Sequence, residues 1–154
     1  MDKNATYQLL AKQVESLLEG EENTTGQLAN AAALIHEALG AWWTGFYLVK
    51  DEALLLGPFQ GPVACYTIRR GRGVCGTAWQ ENRTIVVPDV EQFPGHIACS
   101  SLSRSEIVVP LRDQEGTVIA VLDIDSRDLA AFDDIDACGL EVVARVIEQY
   151  AFNH

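Results

Sequence analysis

The chain is predicted to be an α+β protein with a six-stranded, mainly antiparallel sheet, its N- and C-terminal helices on one face and its loops on the other. Two observations predict this. Helical periodicity governs both ends of the 154 residues, while alternating and aliphatic runs fill the middle. The runs are also joined by hairpin-length connections, which favour antiparallel pairing.

The elements follow in order. A first helix is expected after Asn4, with Tyr7, Leu10, Val14, Leu17 and Leu18 on one face and Gly20 at its end. A second should begin at Thr24 as N-cap, align Leu28, Ala32, Ile35 and Leu39, and stop at Gly40. WWTGFYLVK and ALLLGPF then read as strands joined by a turn at Asp51 and Glu52, and a third strand is expected over Cys65 to Ile68. VCGTAWQEN reads as a short helix and TIVVP as a strand. IVVPL and TVIAVLDID make a pair joined by DQEG. A closing helix should start near Asp133 or Asp134, where a carboxylate suits both the cap and the dipole. Its expected apolar stripe is Ile135, Cys138, Val142 and Val146.

A single domain over 1–154 is expected, large enough to bury a core without staples. The formal net charge of −11 argues against nucleic acid and anionic membrane surfaces as partners. No apolar run reaches the length of a membrane span, and the opening MDKNATYQLL lacks the pattern of a secretory leader. A cytoplasmic location is therefore expected, where cysteines stay reduced unless they are catalytic or sensing. Arg69, Arg70 and Arg72 around Gly71 break the acidic trend. They read as a solvated turn or as a local positive field between Cys65 and Cys75.

The four cysteines, Cys65, Cys75, Cys99 and Cys138, are too widely spaced for a C-x-x-C motif. His96 and Cys99 form an H-x-x-C pair with no second pair nearby, so no metal is expected. Cys138 reads as a buried hydrophobe on its helical stripe. Cys65 is an ordinary strand residue or a reactive thiol. Cys75 stands where a glycine-rich turn opens a helix, a place that stabilises a thiolate, although close packing would account for it equally. Cys99 sits between His96 and a run of serines with no apolar period, the setting of an accessible nucleophile or redox sensor. In VLDIDS, period two puts Asp123 and Asp125 on one strand face, with Glu106 as a neighbour. Such a face is either solvated or a carboxylate-lined pocket able to hold an ammonium group or keep one acid protonated. Of Trp42, Trp43, Phe46 and Tyr47, at most two can share that side of their strand.

Several motifs together resemble one family over roughly residues 20 to 150. WTGFYL, LGPFQGPVACYTIRRGRGVCGTAW, TIVVPDVEQFPGHIACSSLSRSEIVVPL, VLDIDS and FDDID are similar to those of the free methionine-(R)-sulfoxide reductases, which are built on a GAF-type domain. Three cysteines recur in order with nine and then twenty-three residues between them. The resemblance implies Cys99 as the nucleophile, Cys65 as the resolving thiol and Cys75 as an auxiliary or alternative resolving thiol. It implies a substrate pocket involving Trp43, Tyr47, Glu106, Asp123 and Asp125. Trp42 occupies a place where the family often has a polar residue, so the choice between Trp42 and Trp43 stays open. Cys138 matches no catalytic motif.

The chemistry implied is thiol-dependent reduction of free L-methionine-(R)-S-oxide. Cys99 attacks sulfur, Glu106 or Asp125 holds and protonates the oxygen, and methionine leaves. Cys99 is left as a sulfenic acid that a second thiol captures as a disulfide. No bound cofactor is expected; thioredoxin is the expected external reductant, and a homodimer is compatible with the resemblance. The alternative is a thiol redox sensor or small-ligand-binding GAF module without turnover.

Overall fold

The computed structural model describes residues 1–96 and 102–153. Cys99, the expected nucleophile, lies outside the described residues. Helix α1 (Lys3–Leu18) is capped by Asp2, whose carboxylate accepts from the Ala5 amide at 2.7 Å. Helix α2 (Thr24–Leu39) is capped by Asn23, one residue before the expected cap. Thr24 is already helical, and its hydroxyl instead donates to the Ala151 carbonyl. Gly40 closes α2 in the left-handed conformation, as a C-terminal glycine does.

Strands β1 (Trp43–Lys50) and β2 (Ala53–Gln60) form a hairpin, and β3 (Thr67–Arg69) adds an outer strand. Cys65 therefore stands in irregular chain ahead of β3, not in the strand where it was expected. Helix α3 (Gly73–Glu81) leads to β4 (Ile85–Val87). The second hairpin, β5 (Ser105–Arg112) and β6 (Val118–Ser126), precedes α4 (Asp134–Ile147). The sheet order is β3-β2-β1-β6-β5-β4, and every pairing is antiparallel.

Strand alternation gives the sheet two different faces. Phe46, Ile107, Val109, Leu122 and Ile124 face helices α2 and α4, and α1 packs against both helices. Trp43, Tyr47, Val108 and Val121 face the other way, toward Val74, Cys75, Ala78 and Trp79 of α3. The buried side of α4 is Asp136, Leu140, Val143, Ala144 and Ile147. Ile135, Cys138 and Val142 are exposed, so the expected stripe is corrected. Both stripes have helical period. The one that continues to Ile147 meets the sheet, and Asp136 joins it because Tyr7, Lys3 and the Asp133 amide all donate to its carboxylate.

Candidate active site

The central strands assemble the site by register. Across β1-β6-β5, Trp43 lies opposite Asp125, which lies opposite Glu106. In the next row of the same face, Gly45 lies opposite Asp123, which lies opposite Val108. One aromatic ring and three carboxylates thus share one side of the sheet, although Trp43 and Asp125 are far apart in the chain. A side chain at position 45 would have no room. Its Cβ would fall 2.6 Å from the Trp43 ring and would collide with Phe59 of β2. Glycine there lets Trp43 lie between Phe59 and Tyr47, stacked at centroid distances of 5.2 and 5.9 Å.

Together these residues line a pocket closed by the start of α3 and by two stretches of irregular chain. Its walls include Trp43, Tyr47, Val63, Ala64, Arg72, Val74, Cys75, His96, Ser103, Glu106, Asp123 and Asp125. Phe46 points to the opposite core, and Trp42 packs its ring under the Arg127 guanidinium at 4.9 Å. Trp43 is therefore the tryptophan of the pocket. Arg72 lines its rim, and Arg70 lies over the Trp79 ring. The basic run is thus a turn that also places one cation at the pocket. Arg72, His96 and Ser103 were not named as pocket residues from sequence, and no periodicity links them to the strands.

Burial dominates the electrostatics. Glu106 and Asp123 are only 7% and 6% exposed. Desolvation first, and the neighbouring Asp125 charge second, push Asp123 up to about 8. Glu106 is raised well above the ordinary carboxylate range by burial and then by Asp123. Asp125 is raised well above it by burial and then by Glu106. Burial thus favours the protonated form of all three carboxyls, so the site can supply acid. Tyr47 is likewise kept a phenol, by burial and then by Asp123.

Cys75, third residue of α3, is 4% exposed. Burial, followed by the charges of Asp123, Glu106 and Asp125, raises its thiol well above the ordinary value. Of the two readings left open for Cys75, close packing holds: the helix start is packed onto the carboxylate face, and burial favours the protonated thiol. Among the described cysteines, Cys65 is disulfide-bonded, while Cys75 and Cys138 are free. Cys138 is exposed, not a buried hydrophobe. The two pocket rings also hold the Cys65 loop. Trp43 Nε1 donates to the Pro62 carbonyl and the Tyr47 hydroxyl to the Cys65 carbonyl, each at 3.0 Å. His96 and Ser103, on either side of the segment that contains Cys99, both line the pocket.

The GAF domain family model matches residues 24–150. GAF domain-containing protein A of Dictyostelium discoideum is 54% identical over 147 residues, covering 95% of this chain and 92% of that protein. The free methionine-R-sulfoxide reductase of Escherichia coli is 45% identical over 150 residues, covering 97% and 90%. The structure of free methionine-R-sulfoxide reductase from Neisseria meningitidis in complex with its substrate superimposes with a TM-score of 0.94 at 51% identity, covering 98% of this chain and 91% of that one. At these identities and coverages the chain belongs to the GAF-domain family, as one of the free methionine-R-sulfoxide reductases.

Proposed function

We propose that this protein reduces free L-methionine-(R)-S-oxide to L-methionine at the Trp43–Asp125–Glu106 pocket, with Cys99 as nucleophile and Cys65 as resolving thiol. One observation carries the reading. Buried carboxyls, whose protonated form burial favours, line one pocket with His96, Ser103 and Ala64, the residue before the disulfide-bonded Cys65. Acid and thiol chemistry meet in one enclosure.

The substrate is a zwitterion, and the pocket offers a partner for each end. Its ammonium takes up charge from Asp123 and from whichever of Glu106 and Asp125 is ionised. Its carboxylate lies toward Arg72 and the amides that open α3. A methionine sulfoxide residue inside a protein lacks that ammonium, so the free amino acid is preferred. The methyl-thio end packs on the Trp43 ring.

In the first step the Cys99 sulfur attacks the sulfoxide sulfur while Glu106 or Asp125 gives its proton to the oxygen. The oxygen passes to Cys99 as a sulfenic acid and methionine departs. Cys65 then attacks that sulfur, releasing water and forming the disulfide. Two electrons and two protons from a cytosolic dithiol, thioredoxin, restore both thiols. Cys75 stays protonated and enclosed, which suits an auxiliary thiol better than the first resolving one. No bound cofactor takes part in these steps.

The test is consumption of free methionine-R-sulfoxide and, separately, of its S epimer, with dithiothreitol or thioredoxin as reductant and Cys99→Ser as control. Turnover of the R form alone, lost in the variant, is the expected result. Turnover retained by Cys99→Ser overturns the assignment of the nucleophile. No turnover of either epimer, with binding intact, leaves a ligand-binding or redox-sensing module.

A further inference from the structure

The acids of the pocket have a neighbour for which an ammonium ligand has no use. The Cys75 sulfur and one carboxylate oxygen each from Glu106 and Asp123 lie within 4.8 Å of one another, all on buried residues. These positions are far apart in the chain, and only the packing of α3 on the β5-β6 face brings them together. A tetrahedral zinc ion, with bonds near 2.3 Å to sulfur and 2.0 Å to oxygen, needs its ligand atoms about 3.5 Å apart.

Two further observations point to a cation. Asp123 Oδ1 is buried and meets no hydrogen-bond partner among the described residues, although a buried oxygen left without one is costly. In addition, none of the ion pairs among the described residues involves Glu106, Asp123 or Asp125. The cluster can develop three negative charges, and among the described residues no Lys, Arg or His forms an ion pair with its carboxylates.

The geometry points to Cys75, Glu106 and Asp123 as a site for a thiophilic divalent cation, Zn2+, with a fourth position open to the pocket. Sulfur decides the class of metal, because magnesium and calcium prefer sites made wholly of oxygen. Binding displaces the ligand protons to solvent. Burial, which penalises unpaired charge here, strengthens the attraction to a dication. The ion takes up the same carboxylates as the substrate's ammonium, so a metal-loaded chain has no room for sulfoxide. That consequence rests on the proposed activity; the binding itself does not.

The experiment titrates Co2+, a zinc surrogate, into the oxidised full-length protein carrying Cys138→Ser. In that form Cys65 is already engaged, and the exposed thiol is removed. One equivalent should produce a thiolate-to-cobalt charge-transfer band, which Zn2+ then displaces. In Cys75→Ser the band should vanish, and zinc affinity should fall at least about tenfold in both Cys75→Ser and Glu106→Gln. Circular dichroism establishes that both variants are folded. No band at one equivalent, a band that survives Cys75→Ser, or equal zinc uptake by all three proteins overturns the site. Because the readout is the metal itself, an enzyme that fails to turn over sulfoxide leaves the result interpretable.

Discussion

At the scale of single residues, three side chains of like chemistry behave unlike surface acids. Asp123 has a folded-state value of about 8 against 3.8 unperturbed, so the native state binds more protons than the unfolded chain between those limits. Stability then falls as pH rises through that window. The melting temperature should drop between pH 5 and pH 8, and the slope should flatten in Asp123→Asn; a steeper slope in that variant would contradict the assignment. The catalytic counterpart is sharper. Glu106→Gln and Asp125→Asn should each slow methionine release in a single turnover, and the larger loss, about 10²- to 10⁴-fold, marks the proton donor. The alternation of VLDIDS made the shared face of Asp123 and Asp125 legible in the sequence. A protonated acid was one of two open alternatives there, and the choice depends on how deeply α3 covers that face. The same covering raises the Cys75 thiol and decides between the thiolate and the close packing that the sequence left equally open.

At the scale of elements, periodicity located the four α-helices and the two central hairpins but did not always say which side faces inward. Helix α4 carries two apolar stripes, and the expected one, Ile135, Cys138, Val142 and Val146, is exposed except at Val146, which is half-buried against the core. Asp136 lies on the buried stripe. It is buried because its charge is satisfied by Tyr7 at 2.6 Å and Lys3 at 2.6 Å, a tie between α1 and α4. Removing one donor in Tyr7→Phe should cost about 1.5–3 kcal/mol in urea denaturation while leaving kcat unchanged. Gly45→Ala acts elsewhere. It should destabilise by about 1–3 kcal/mol through overpacking between β1 and β2, and it should also raise KM, because the displaced ring is Trp43.

At the scale of the whole molecule, the order of strands accounts for the site. The two hairpins meet at β1 and β6, so the carboxylates and the tryptophan converge at the middle of the sheet, away from its edges. This long-range pairing is not a local signal, which is why single strands were legible and the Trp43–Asp125–Glu106 row was not. No described helix is long and apolar enough to cross a membrane. The net charge of −11 is a global property with its own consequence. Self-repulsion destabilises the compact state and is screened by salt. The urea midpoint should therefore rise from low salt to about 0.15 M NaCl with no change in slope; a falling midpoint would show that favourable ion pairs dominate.

The hydrogen bonds from Trp43 and Tyr47 to the carbonyls of Pro62 and Cys65 make the pocket floor and the Cys65 loop mechanically one body. The rings that would grip the ligand also act as guy-ropes for the strap that carries the disulfide-bonded Cys65. A blow to either ring slackens both at once. Turnover measured on such a variant will therefore mix weakened capture with delayed recycling. Only separate clocks for the two halves of the cycle, one counting methionine and the other counting disulfide, can tell which rope was cut.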